Sequence, residues 1–359
     1  MGEVESSGSA LRVEPLRAAH LTWLQASDQA PLLPRLQSFL IRGWIAQAEN
    51  LMPGLLVSRQ PLALVAHEDH CLRTLLLIRP HNRQGSCWRL ELQPLTPARS
   101  VSEADVMREL FQLALLGAHA RSQSWVVRVR CSDQVQIAAL RELGFQPIRT
   151  LRRWRPPSGS NTKGSDRSAI ADLPRGCRWA GIDRRTASVL WPLDQASTTS
   201  HQRQIVDRQP IDLLDQAGPG SGMLLVDSEK ESGGPNSREV AIAGLVRHQR
   251  SDGEQVLEIL REPAWDERLQ NALPALMQRL AADHPRVTVV CNSDDGIVCD
   301  RMNQLGWSSR DDELLLGRSL WRRQQNGRLL QATRPLESML GRLQPQRPPL
   351  PTPSLGGRR

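Results

Sequence analysis

The sequence predicts an α/β (α+β) fold arranged as two tandem domains, each with a mostly antiparallel mixed sheet flanked by helices. Three observations support this prediction: a strand followed by a helix at residues 125–145, a second copy of that pattern at 287–307, and a row of short strands ahead of each copy. At 359 residues the chain is long enough for two domains, each with its own core.

The first copy begins with Trp125-Val-Val-Arg-Val-Arg130, whose alternation is typical of a strand. A helix is predicted over 135–143, and Gly144 is expected to end it. The spacing of its apolar residues predicts a buried face formed by Val135, Ala139, Leu140 and Leu143.

The second copy spans residues 287–307. Its Cys291 is matched with Cys131 of the first copy, and Leu305-Gly306-Trp307 is matched with Leu143-Gly144-Phe145. A solenoid would repeat every 20–50 residues or so. The two copies here lie about one domain length apart, which predicts a duplicated domain.

Ahead of the first copy, short apolar runs separated by polar breaks predict an antiparallel meander. The expected order is a strand at 11–16, helices to about 49, strands at 54–58, 61–67, 71–78 and 87–92, and a helix from 103 to about 121. That helix has the apolar positions Val106, Leu110, Leu113, Ala114 and Gly117 on one side. A last strand is expected to end near Trp154.

The second unit repeats this order. It is predicted to contain a strand near 177–182, helices within 184–216, strands at 223–226, 239–247 and 256–260, a helix at about 266–282, a strand at 287–291, a helix at 296–305 and a closing strand at 313–320. The Gly/Ser/Glu-rich stretch 228–237 is predicted to be a mobile hairpin tip.

Composition divides the chain further. We predict a disordered N-terminus at 1–10, a first domain at 11–155, a linker rich in Pro, Gly and Ser at 156–175, a second domain at 176–325, and a Pro/Arg-rich tail at 335–359. No apolar run approaches the roughly 18 residues needed to cross a bilayer, and the start lacks the layout of a signal peptide. A cytoplasmic protein without a membrane partner is expected.

The net charge of +8 is concentrated in two regions. Residues 141–185 contain ten arginines and one lysine against four acids, and residues 310–359 contain ten arginines against four acids. The rest of the chain is mildly acidic, so a nucleic-acid partner is not expected. Six cysteines occur singly, without metal-type spacing, which predicts reduced thiols and no metal site.

The order of elements, together with the helix that ends in Leu-Gly-aromatic, resembles the GNAT acyltransferase superfamily. In that family a loop of the type Arg/Gln-x-x-Gly-x-Gly/Ala opens the long helix and holds the pyrophosphate of acyl-CoA. Amides at a helix start can bind phosphate because they lack partners within the helix. The resemblance implies acetyl-CoA or another acyl-CoA as cosubstrate.

The corresponding loop here is Arg99-Ser-Val-Ser-Glu-Ala104, in which serine replaces the family's first glycine. The resemblance implies that the cofactor is bound by Leu95, Arg99, Ser100, Ser102 and Ala104. The alternative interpretation is an ordinary loop in which Ser102 caps the helix.

The equivalent loop of the second unit is Arg261-Glu-Pro-Ala-Trp-Asp266. It also begins 45 residues before the glycine of its copy. Pro263 removes an amide donor, and two acids repel a pyrophosphate. We therefore expect the second unit to be the weaker cofactor binder.

Many family members place a tyrosine four residues before the glycine as general acid. The two positions here hold Leu140 and Met302, and the chain contains no tyrosine. For the general base the resemblance implies Glu91, although alternation equally allows this side chain to point into water. His67, His70 and His81 are expected at the surface.

Three functions remain open. The first is an N-acyltransferase, most simply an acetyltransferase, that acts on an amine-bearing small molecule or protein substrate. The second is a non-catalytic binding or regulatory module, in agreement with the missing tyrosine and altered loops. The third is a transferase that uses aminoacyl-tRNA. In that case the Arg-rich segments 149–155 and 318–323 would contact phosphates of the RNA.

Overall fold

A computed structural model of the protein describes residues 11–25, 32–50, 61–97, 101–117, 122–157, 173–227, 239–248, 255–264 and 266–320. Several predictions lie outside these residues: the disordered N-terminus, the strand at 54–58, most of the linker, the hairpin tip at 228–237 and the Pro/Arg-rich tail. Arg99 and Ser100 also lie outside them. The described residues up to Ser319 belong to one compact unit.

Residues 11–157 are called the first half. Its elements are β1 (Arg12–Pro15), α1 (Ala18–Gln25), α2 (Leu33–Asn50), β2 (Leu62–Glu68), β3 (Cys71–Pro80), β4 (Cys87–Pro94), α3 (Glu103–Leu116), β5 (Ser124–Arg130), α4 (Gln134–Glu142) and β6 (Gln146–Arg155). The predicted order of strands and helices is confirmed in the part of the chain that is described.

Residues 173–320 are called the second half. Its elements are β7 (Cys177–Ala180), α5 (Ala187–Ser197), α6 (Ser200–Val206), a 3-10 helix (Pro210–Gln216), β8 (Gly222–Asp227), β9 (Glu239–His248), β10 (Val256–Arg261), α7 (Glu267–Asp283), β11 (Thr288–Asn292), α8 (Gly296–Gln304) and β12 (Ser308–Ser319). The second half thus repeats the order of the first.

The twelve strands of the described residues form one sheet in the order β1-β2-β3-β4-β5-β12-β6-β11-β10-β9-β8-β7. Strands β4 and β5 are parallel, as are β10 and β11, while the other neighbours are antiparallel. Apart from the positions of β6 and β12, the order is that of the first half followed by that of the second half in reverse. The sheet is mixed and mostly antiparallel, as predicted.

The two halves exchange their last strands. Strand β6 ends the first half but pairs with β11 of the second, and β12 ends the second half but pairs with β5 of the first. The two exchanged strands also pair with each other, antiparallel, at the centre of the sheet. Backbone hydrogen bonds therefore run without interruption from one half to the other.

Each half buries its sheet between helices on both faces. In the first half, Val106, Leu110 and Phe111 of α3 pack on one face, while Leu24 and Phe39 of α1 and α2 pack on the other. In the second half α7 packs on one face and α5 on the other. Helix α6 of the second half packs across β5 and β12.

The repeated helices end in the same way. Gly144 has a φ of +82° and Gly306 a φ of +74°, a conformation that glycine adopts without strain. Phe145 N–H donates to Leu140 at 3.0 Å, and Trp307 N–H donates to Met302 at 3.0 Å. These bonds form the six-to-one closure of a Schellman motif. The prediction that Gly144 ends its helix is confirmed.

Two details of the repeat are corrected. Cys131 N–H donates to Asp312 on β12, whereas Ser293 N–H makes the matching bond to Thr150 on β6. Cys131 therefore corresponds to Ser293, and the match with Cys291 was wrong by two residues. Val135 is 47% exposed, so its placement on the buried face was also wrong. The helix instead buries Gln136, Ile137, Ala139 and Leu140.

All six cysteines are free, in agreement with the prediction of reduced thiols. No helix among the described residues is long and apolar enough to cross a membrane.

Candidate functional site

Strands β4 and β5 separate partway along their length. They pair from Cys87–Ser124 to Leu90–Val127. Beyond that point, each strand keeps only its outer neighbour: β4 remains paired with β3, and β5 remains paired with β12. Among the described residues, the facing edges after Leu90 and Val127 form no ladder with each other. An extended ligand could hydrogen-bond to this open edge, which leads toward the start of α3.

Leu95 directly follows β4 at this edge. Its N–H donates to the carbonyl of Arg73 at 2.8 Å, and its side chain packs against the core beneath α1 and α2. Leu95 therefore fixes the path of the chain out of β4. Its own amide is engaged, so a ligand here would have to bind neighbouring groups.

Ser102 is the N-cap of α3. Its Oγ accepts from Asp105 N–H at 3.2 Å and donates to Asp105 Oδ2 at 2.6 Å. Ala104 lies in the first turn, which also contains the acids Glu103 and Asp105. The structure therefore contains the cap that the alternative interpretation of this loop expected, and the hydroxyl is engaged with a carboxylate.

One arginine partly offsets the negative charge at the start of α3. Arg108 pairs with Asp105 and, at 2.7 Å, with Glu142 of α4. Hydrogen bonds from Ser102 and Arg108 lower the pKa of Asp105, so its carboxylate remains ionised. A phosphate approaching the α3 amides would meet this negative charge first.

Glu91 points from β4 toward α2. Its carboxylate lies 3.8 Å from the guanidinium of Arg35, and its side chain is 24% exposed. Burial lowers the pKa of nearby Arg79, while the charge of Glu91 opposes that effect. Glu91 thus sits in a half-buried basic setting on the α2 side of the sheet. Sequence reasoning missed Arg35, although a single basic residue in the apolar stretch 32–40 was a usable signal.

The positions that would hold the family's tyrosine are core positions here. Leu140 and Met302 are both fully buried, and each packs in the main core of its half. Neither side chain has a proton to give. Any leaving thiolate must therefore be protonated by solvent or by another group.

The second half closes the equivalent loop with ion pairs. Arg261 donates to Asp295, the N-cap of α8, at 2.5 and 2.9 Å. Asp266 caps α7 and pairs with Arg268 at 2.8 Å. An acidic side chain therefore caps α7, and weaker cofactor binding in this half stays a prediction.

A further polar cluster joins β1, α1 and β2. Glu14 Oε1 lies 3.2 Å from His20 Nε2 and 3.1 Å from His67 Nε2, and the three groups could surround a metal ion. However, Arg17 N–H donates to Nδ1 of His20, which places the proton of the neutral ring on Nε2. A metal at Nε2 would have to displace this proton. The geometry fits a hydrogen-bonded cluster better than a metal site.

This cluster also corrects the expected exposure of the histidines. His67 is buried, contrary to prediction, whereas His70 is exposed. His81 is half-buried, and its pKa is well below the ordinary value because of burial and neighbouring arginines.

No protein-family model matches the sequence, and no curated protein matches it. Solved structures are similar to it over most of its length. They include a GCN5-related N-acetyltransferase from Sphaerobacter thermophilus, with 11% identity over 86% of this chain and 96% of that one and a TM-score of 0.45. A putative acetyltransferase from Pyrococcus horikoshii has 7% identity over 86% of this chain and 89% of that one, with a TM-score of 0.47.

A tandem GNAT protein from the clavulanic acid biosynthesis pathway is similar over 87% of this chain and 99% of that one, with 11% identity and a TM-score of 0.44. The first and third of these proteins are named as members of the GNAT superfamily, which the sequence resembles.

Proposed function

We propose that the protein is an acyl-CoA-dependent N-acyltransferase, most simply an acetyltransferase, whose first half holds the acyl donor. The observation that supports this proposal best is the separation of β4 and β5 after Leu90 and Val127. It leaves two open strand edges beside the loop that enters α3. Edges of this kind can bind the amide groups of an extended ligand by strand-like hydrogen bonds.

The proposed reaction needs few protein groups. The neutral amine of the acceptor attacks the thioester carbonyl, a C–N bond forms, the C–S bond breaks, and the electron pair leaves on sulfur. Glu91 would accept the proton that the amine loses, and Arg35 would hold that carboxylate in place. Because Leu140 is buried and apolar, the thiolate would leave without a protein acid, which its modest pKa near 8.5 permits.

Calorimetry with acetyl-CoA tests the location of the donor. We expect saturable binding by the unaltered chain and loss of binding in Arg99→Glu and in Ser102→Asp, because both changes add negative charge where a pyrophosphate would lie. Arg310→Glu, which changes the charge by as much as Arg99→Glu at an exposed residue of β12, is the matched control for that variant and should bind normally. Absence of heat at millimolar acetyl-CoA would overturn the proposal.

Asp105→Asn offers a test in the opposite direction. This change removes a carboxylate that would repel a pyrophosphate at the first turn of α3, so it should tighten acetyl-CoA binding several-fold. Loss of the exposed ion pair with Arg108 should cost little stability. Unchanged or weaker binding would argue against a phosphate at this helix start.

A non-catalytic binding module is the second candidate, and a specific observation favours it. The hydroxyl of Ser102 is already engaged with Asp105, and the general-acid position is a core leucine. Release of free thiol from acetyl-CoA in the presence of an amine panel separates the two candidates. Turnover that Glu91→Gln slows while binding persists supports the enzyme, whereas binding without turnover supports the module.

A further inference from the structure

A cavity of about 300 Å³ opens where the two halves meet, away from the start of α3. The first half contributes the turn between β3 and β4, and the second half contributes the 3-10 helix and the end of β9. Basic side chains dominate its lining: Arg79, His81, Arg83, Arg89, Arg247 and His248. The volume lies at the lower end of the range for small-molecule sites, about 300–1,000 Å³.

Hydrogen bonds between the halves fix the walls of this cavity. Asn82 Nδ2 donates to the carbonyls of Val206 at 3.1 Å and Asp207 at 2.9 Å. Ser86 Oγ donates to Asp207 Oδ2 at 2.8 Å. Asn82 and Ser86 are both buried, so these bonds are protected from water. The cavity is therefore a feature of the packed interface and does not depend on surface side chains alone.

The rim is tied together as well. Arg83 N–H donates to Asp212 Oδ1 at 2.7 Å, and its guanidinium pairs with Asp215 through bonds of 2.8 and 2.6 Å. Asp212 also accepts from Gln209 N–H at 2.7 Å. Both carboxylates of the rim thus take part in hydrogen bonds that hold the rim together.

The inner end of the cavity continues into a small pocket of about 20 Å³ that shares His81, Arg89 and His248. Three more arginines line this pocket, Arg128, Arg149 and Arg208. Glu258 pairs with Arg128 at 3.2 Å and also with Arg149, and Asp194 pairs with Arg208. Positive charge exceeds negative charge in this lining, at a place where water screens poorly.

Several donors around the cavity have no acceptor. Nη1 of Arg128 is buried and has no hydrogen-bond partner. Among the described residues, the ring of His81 makes no hydrogen bond, and the exposed Arg247 makes no ion pair. A buried guanidinium N–H without an acceptor is destabilising, so it indicates a group that completes the site.

The lowered pKa values of His81 and His248 reflect the arginine-rich lining of the cavity. Burial and the arginines around it lower the pKa of His81, and burial together with Arg128 lowers the pKa of His248 to about 3. Both rings are neutral near pH 7. The N–H of His248 is engaged with Glu258, whereas the ring of His81 makes no hydrogen bond among the described residues and can donate its N–H without adding charge. A bound anion would reverse the repulsion that keeps them neutral.

We propose that this cavity binds a small molecule bearing a phosphate or carboxylate group, with the oxyanion against Arg128 and His81 and the rest of the molecule near Arg247. Guanidinium groups suit both kinds of oxyanion because their N–H groups form a planar fork. Its inner pocket reaches Val127 and Arg128 of β5, where the proposed acyl-CoA cleft begins, but no residue of α3 lines it. Its occupancy does not depend on acyl transfer.

Calorimetry at low ionic strength tests the proposal with two probes, inorganic pyrophosphate and citrate, on the full chain. We expect saturable binding of at least one probe, and the tighter probe identifies the oxyanion. Arg247→Ser should weaken binding roughly tenfold, the loss expected for a charge-assisted hydrogen bond. Arg310→Ser, with the same loss of charge on exposed β12, should change the dissociation constant less than twofold, within about 0.4 kcal/mol.

Two more variants keep the test decisive. His81→Ala should weaken binding while leaving the melting temperature near that of the unaltered chain, since this ring makes no hydrogen bond among the described residues. Ser102→Asp should leave unchanged both citrate binding and the component of pyrophosphate binding that Arg247→Ser weakens, which separates this cavity from the start of α3. The proposal is overturned if neither probe binds, if Arg310→Ser weakens binding as much as Arg247→Ser, or if Ser102→Asp abolishes binding.

Discussion

Glu258 is the carboxylate on which the buried charges between the halves depend. It lies 3.2 Å from Arg128 and also pairs with Arg149 and His248, and its side chain is only 4% exposed. These partners hold the pKa of Glu258 well below its ordinary value despite the cost of burial. A carboxylate in this position keeps two buried guanidinium groups compatible with a folded interior.

Glu258→Gln should therefore destabilise the protein strongly. It leaves Arg128 and Arg149, whose side chains are only 11% and 13% exposed, without their counter-charge, and we expect a loss of about 3–5 kcal/mol in the free energy of unfolding. Urea denaturation followed by circular dichroism measures this loss. The control is Glu239→Gln, which breaks an exposed pair with Arg178 and should cost about 0–1 kcal/mol. Equal losses in the two variants would contradict a special role for Glu258.

The lowered pKa of His248 should make the stability of the protein depend on pH. Its folded-state pKa is about 3, below the ordinary value of 6.5, so between these values the unfolded chain binds a proton that the folded chain does not. Stability therefore falls as the pH falls through this window, by up to about 1.4 kcal/mol per pH unit for this residue. The lowered pKa values of His20 and His81 act in the same direction.

His248→Gln should lower the number of protons taken up on unfolding by about one. The measurement is urea denaturation at several pH values between about 5 and 6, above the range in which carboxylates titrate. The slope of unfolding free energy against pH should be smaller in the variant than in the unaltered chain. His201→Gln at an exposed position is the control for loss of a histidine. An unchanged slope in His248→Gln would show that this residue is protonated in the folded state.

At the scale of elements, the repeated strand and helix is the best-defined unit of the fold. Helices α4 and α8 begin at aspartate caps, Asp133 and Asp295, and end in the same glycine motif. Each buries an apolar face and packs an aromatic residue, Phe145 or Trp307, immediately after the glycine. Local signals and tertiary packing agree here, which explains why the sequence showed this unit most clearly.

Gly306→Ala tests the termination of α8. Gly306 has a φ of +74°, which an alanine adopts at a cost of about 1–2 kcal/mol. The matched control lies at the other end of the same helix, where a Cβ on Gly296 would meet no atom within 4 Å. Gly296→Ala should be neutral or slightly stabilising, because alanine favours a helix. Thermal unfolding that shows the reverse ranking would contradict this account.

At the scale of the molecule, the exchange of β6 and β12 makes each half depend on the other. Without β12, strand β5 would lose a neighbour, and without β6, strand β11 would lose one. The boundaries predicted at 155 and 176 therefore divide the sequence into two similar units while the sheet continues across both. Whether each unit folds as a separate domain is a prediction that fragments can test.

Residues 1–165 and 166–359, expressed as separate chains, should each be poorly folded and should form a one-to-one complex when coexpressed. Exposed edges of β5 and β11 would otherwise remain unpaired, and such edges promote association. Size-exclusion chromatography with light scattering gives the stoichiometry, and circular dichroism compares the complex with the intact chain. Two stable monomeric fragments that do not associate would contradict the prediction.

Much of the fold could be predicted from sequence because strand alternation, helix caps and glycine stops are local signals. Every predicted helix and strand within the described residues is present, with ends that differ by a few residues. The misplaced Val135 shows the limit of such signals, since helical spacing alone did not reveal which side of α4 would meet the sheet. The candidate site was harder to predict, because Glu91 and Arg35 are far apart in sequence and meet only after α2 packs on the sheet.

The sequence by itself determined the duplication, the order of elements and the absence of a tyrosine at the two equivalent helix positions, because each of these is written in consecutive residues. Only the tertiary structure decided the exchange of β6 and β12 and the arginine-rich cavity between the halves. Strand exchange leaves no local trace, since β6 satisfies its backbone hydrogen bonds equally well in either half. The cavity likewise forms from residues more than a hundred positions apart, such as Asn82 and Val206, which only long-range packing brings together.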